Sequence, residues 1–76
     1  MLANYDVKEI FSKRLSGLIK ENGLNVKKFA QDINIPYTTV CDWIKMKTFA
    51  SIEHLPKIAK YFTVSIDFLL GYTDFE

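Results

Sequence analysis

Seventy-six residues, 49% hydrophobic and 25% charged, suffice for one small domain with its own core and are too apolar for a disordered chain. That size excludes a multi-domain machine, and no apolar run approaches the roughly 20 residues that cross a bilayer. The formal charge of +1 conceals a gradient: all ten Lys and Arg lie between Lys8 and Lys60 with five acids among them, whereas Asp6, Asp67, Asp74 and Glu76 lie outside.

From Val7 to Asn22, the residues Val7, Phe11, Leu15 and Leu18 recur at three- and four-residue steps, the stripe of an amphipathic helix. Gly23 ends it, because glycine takes the left-handed conformation that closes a helix, and Leu24 can fold back on the last turn. Asn25 then caps a short second helix with Val26, Phe29, Ala30 and Ile33 on one face. "DINIP" is a tight break, since Asn34 tolerates a left-handed turn and Pro36 suits the first turn of a new helix. This third helix is expected from about Pro36 to Lys45. At roughly 100° per residue its Val40 and Ile44 point one way, and Thr38, Asp42 and Lys45 nearly opposite. "KTFAS" is a loop, and Ser51 is the expected cap of a fourth helix carrying Leu55, Ile58, Ala59 and Phe62. Its regular part should begin within a residue or two of Pro56, which lacks a backbone donor. In "TVSIDFLLGY", Ser65 caps a fifth helix, Asp67 sits near its positive end and Gly71 stops it. The fold class is therefore all-α, a compact five-helix bundle.

The inventory argues against catalysis. Cys41 is the one cysteine and His54 the one histidine, so neither a disulfide nor a metal cluster is expected, and no nucleophile is paired with a base. No cofactor or small-molecule site is evident. The opening "MLANYDVKEIF" lacks the basic start and apolar stretch of a signal peptide, so a cytoplasmic location is expected. The basic centre is compatible with phosphate binding.

Two short helices joined by a tight turn, the second polar on its outer side, describe a helix-turn-helix. "LNVKKFAQDINIPYTTVCDWIKMK" together with the later "SIEHLPKIAKYFTVSIDFLLG" resembles the Cro-and-repressor-type helix-turn-helix family, also called the XRE family, over about residues 11 to 72. The resemblance rests on Ala30, Ile35, Val40 and Trp43 and on the "IAKYF" and "SIDFLLG" segments. It implies a lambda-repressor-like DNA-binding domain at residues 7–72, between an N-terminal extension at 1–6 and a tail at 73–76. It further implies a phage or bacterial regulator, a repressor, that reads an operator in duplex DNA by laying the third helix in the major groove.

By position the base readers would be Tyr37, Thr38, Thr39 and Asp42. Threonine can bond base edges or meet a thymine methyl, and aspartate can accept from a cytosine amino group. Phosphate contacts would come from Asn25, Lys27 and Lys28 at the front of the second helix and from Lys45, Lys47 and Thr48 after the third. Phe68, Tyr72 and Phe75 are the candidate interface of a homodimer, which would set two reading helices about 34 Å apart over a pseudo-palindrome. The same fold also serves modules that hold a protein partner, such as antitoxin-type or adaptor proteins, and Asp42 and the low net charge keep that alternative open.

Three positions depart from the family pattern. Val26 stands where a Gln often braces the phosphate contact, and Met46 stands where Gly usually comes after the reading helix, so an altered exit turn is expected. Ile19 and Ile44 stand where relatives keep an Arg–Glu pair. Losing both charges together is tolerable, whereas losing one strands the other, so the two isoleucines should meet in the core. Trp43 is expected to be structural, at the edge between the core face and the fourth helix. Cys41 should lie beside the core stripe, and His54 should be a surface or partly packed residue. Lys8, Lys13 and Lys20 are expected to be solvated, with Arg14 the best candidate for a structural bond.

Overall fold

Asp6 starts the first helix: its carboxylate accepts from the backbone amides of Lys8 and Glu9 at 3.0 and 3.3 Å, pairing two donors that a helix start leaves open. The computed structural model describes residues 6–76; the rest of the expected extension lies outside the described residues. The elements are α1 (Val7–Glu21), α2 (Val26–Asp32), α3 (Tyr37–Ile44), α4 (His54–Phe62) and α5 (Ile66–Leu70). There is no strand among the described residues.

Asn25 and Ser65 cap α2 and α5 as expected, accepting from the amides of Lys28 and Phe68 at 2.8 and 3.0 Å. Ser51 does not cap α4 through its hydroxyl. Its carbonyl accepts from the His54 and Leu55 amides at 2.9 and 3.3 Å, and its hydroxyl pairs with His54 Nδ1 at 3.1 Å. The helix begins two residues ahead of Pro56, where a missing donor costs little because first-turn amides have no partner within the helix. Pro36 likewise sits just before α3 rather than inside it.

All five helices end in one way. A left-handed residue lies beyond each: Gly23 (φ 69°), Asn34 (59°), Met46 (65°), Thr63 (58°) and Gly71 (88°). In every case its amide returns to the carbonyl three residues back and the next amide to the carbonyl five back, as in Leu24 to Ile19 at 3.0 Å and Lys47 to Asp42 at 2.9 Å. The expectation of an altered turn after α3 is therefore corrected. Met46 takes the left-handed form that glycine would supply, at a steric cost of about 1–2 kcal/mol.

The core lies between α1 and the other helices. Phe11, Leu15, Leu18 and Ile19 of α1 are buried with Phe29, Ala30, Val40, Ile58 and Leu69. Trp43 is 2% exposed rather than at an edge, because the Phe11 ring meets it edge-on at 6.2 Å and His54 covers another side at 5.4 Å. Phe29 stacks on Phe62 at 5.3 Å, tying α2 to α4. Buried Ser12 donates to the Ile44 carbonyl at 2.6 Å, giving a partner to one of the carbonyls left open at the end of α3. Ile19 is buried, Ile44 packs on the same core, and both line one cleft.

Arg14 makes the structural bond expected of it. Its guanidinium donates to the Phe68 and Thr73 carbonyls at 2.7 and 2.6 Å and to Asp74 Oδ1 at 3.0 Å, and lies 4.3 Å over the Phe68 ring. The segment after α5 is thereby held against α1.

These bonds lead to two expected outcomes. Met46→Gly should raise the unfolding free energy by about 0.5–1 kcal/mol, strain relieved less the extra freedom of glycine in the unfolded chain, and Gly23→Ala should lower it by about 1. A urea titration checks both, and an unchanged midpoint for Met46→Gly would remove the strain assigned to that turn. Arg14→Met should cost about 2 kcal/mol, since two carbonyls lose a charged donor. Asp74→Asn should leave stability nearly unchanged because the carboxylate is solvent-exposed; comparable losses would place the energy in the ion pair instead.

Candidate nucleic-acid interface

Burying Val40 and Trp43 decides which side of α3 faces out. Thr38, Lys45 and Asp42 lie on the far side, with Tyr37 and Cys41 on one flank and Thr39 on the other. Tyr37 is 51% exposed and Thr38 is exposed. Asp42 and Thr39 are half-buried, and Thr39 leans toward the core side of the helix. Asp42 forms no ion pair among the described residues. Cys41 is half-buried beside the core stripe and continues the row of Tyr37 and Lys45, one helical turn from each. Interaction with the Cys41 thiol one turn on favours the neutral Tyr37 hydroxyl and raises its pKa above the ordinary tyrosine value. Four-residue spacing in the sequence is the signal that could have found this pair.

Asn25, Lys27, Lys28, Lys45, Lys47 and Thr48 are all exposed, and Asn25 lines one cleft with Ile44, the neighbour of Lys45. They are not equivalent. Lys28 turns to the flank of α2 near α4, where its ammonium meets Asp32 at 3.1 Å, and Asp32 also accepts the Tyr61 hydroxyl at 2.6 Å. Lys27 lies on the opposite flank and forms no ion pair among the described residues. There it shares with Gln31, Asn34 and Tyr37 a cleft of about 440 Å³ in the elbow between α2 and α3. Gln31 stands four residues from Lys27 in the sequence, and Asn34, the turn residue expected there, lines the same cleft. Of the aromatic cluster near the C-terminus, Phe68 is half-buried beneath Arg14, whereas Tyr72 and Phe75 are largely exposed.

The model of the Cro/C1-type helix-turn-helix DNA-binding domain matches residues 14–74. Among solved structures, a transcriptional regulator from Listeria innocua superposes with a TM-score of 0.75 at 40% identity, over 83% of this chain and 59% of that one. This chain thus spans less than two thirds of that regulator. Comparison with curated proteins found no match.

The Asp32 cluster has a pH consequence. Bonds from Tyr61 and then Lys28 hold the Asp32 pKa below the ordinary carboxylate value, and the same carboxylate raises that of Tyr61. The folded-state Asp32 pKa is thus depressed, so its stabilisation is complete above the unfolded value and is lost as pH falls through the lowered one. Tyr61→Phe should move the Asp32 midpoint up toward the ordinary value in a carboxyl-carbon NMR titration. A midpoint that stays put would mean the hydroxyl does not set it.

Proposed function

Because the chain belongs to the Cro/C1-type helix-turn-helix DNA-binding domains, we propose that it is a sequence-specific transcriptional regulator, acting as a repressor in the bacterial cytoplasm and reading the major groove with α3. One observation carries the reading: the outward side of α3 holds Tyr37, Thr38, Asp42 and Lys45 on a helix whose other side is locked by Val40 and Trp43. A rigid helix with short hydrogen-bonding side chains can approach base edges closely enough to discriminate among them. Lys27, Lys45 and Lys47 are exposed and form no ion pairs among the described residues, so they are available to phosphates and set the register. The solved relative's description as a transcriptional regulator supports the same class.

The regulator works as a homodimer through the exposed side of the C-terminal region. Phe75, 83% exposed, is the better aromatic candidate there, since Phe68 is engaged by Arg14. Two-fold symmetry then asks for an operator of two inverted half-sites, about one helical turn apart.

In vitro selection from a random duplex pool should enrich such an inverted repeat. Thr38→Ala and Asp42→Ala should each relax the preference at one or two positions per half-site, at a cost of about 1–3 kcal/mol on the selected site. No enrichment by the parent would favour the protein-partner alternative, and enrichment unaltered by either substitution would remove α3 as the reader.

A further inference from the structure

We propose that Lys20 is a further DNA phosphate anchor, an inference that rests on the DNA reading above. The last turn of α1, the start of α2 and the end of α3 enclose a cleft of about 310 Å³, in which Lys20, Ser16 and Asn25 accompany Ile19, Val26 and Ile44. Its apolar residues include both isoleucines that stand where relatives keep opposite charges, so no ion pair lies within it. The one cation lining it is Lys20, which is exposed and forms no ion pair among the described residues.

The position of this cleft gives Lys20 its role. Asn25, on one side, begins the first set of proposed backbone contacts, and Ile44, on the other, immediately precedes Lys45, which begins the second. A sugar–phosphate strand running from one set to the other crosses the mouth of the cleft. An ammonium there neutralises a phosphate at the point where Val26 offers no side-chain donor. A purely local role is the competing account, because a lysine in the last turn of a helix also offsets the charge of its terminal carbonyls.

Salt dependence separates the two. The parent, Lys20→Gln, Lys20→Arg and Lys57→Gln are each titrated, across a salt series, with the duplex selected by the parent and with a random-sequence duplex. The slope of log affinity against log salt should shrink by about 0.9 in Lys20→Gln on both duplexes, with the sequence preference kept. Lys20→Arg should hold the parental slope, as should Lys57→Gln, whose charge lines a different cleft. A parental slope in Lys20→Gln, or an equal loss in Lys57→Gln, would overturn the assignment. A parent that binds neither duplex would overturn the DNA reading itself, and the anchor with it.

Discussion

An eight-residue helix is too short to hold its shape in water, so everything proposed for α3 depends on how that helix is fastened to α1. Two different forces do it. Val40 and Trp43 bury their side chains, with the Trp43 ring against Phe11, which supplies most of the free energy without fixing an angle precisely about the helix axis. The bond from Ser12 to the Ile44 carbonyl is worth only about 1 kcal/mol, but it is directional and acts at the helix end. Together they fix which residues of α3 face outward, and a reader of base edges needs that fixed.

The helix ends form a second system of constraint. Each helix is shut by the same pair of backbone bonds around a left-handed residue, and beyond three of them an apolar side chain, Leu24, Ile35 or Val64, turns back to the core. The turns are therefore part of the packing and not spacers between packed parts. Glycine supplies the conformation without strain after α1 and α5, whereas after α2, α3 and α4 the non-glycine residues Asn34, Met46 and Thr63 adopt it. Met46 sits just beyond α3, and the backbone bond that closes its turn is made by the Lys47 amide.

Charge is sorted by the fold into two kinds. Arg14 and Lys28 are drawn into internal work, the first holding the segment after α5 and the second bracing Asp32 beside Tyr61. Lys20, Lys27, Lys45 and Lys47 form no ion pairs among the described residues. A near-neutral total thus coexists with a set of open cations, because several acids are engaged elsewhere or lie toward the C-terminal end of the chain.

The helices, their order and nearly all their ends were legible in the sequence, because three- and four-residue periodicity, Asn and Ser caps and glycine stops act over a single turn. So was the family, and with it the segment expected to read DNA. Features that depend on distant partners emerged only when the helices packed. Trp43 became central because α1 places Phe11 against it, Met46 took the left-handed form, and Lys28 was diverted by Asp32. Phe68 was taken by Arg14, 54 residues away in the chain. The stretch "NIPYTTVCDWIKMK" displays its polar and apolar sides on inspection. Which polar residues stand clear of the body could be settled only by the helices packed behind them, since exposure is a property of neighbours and not of the residue.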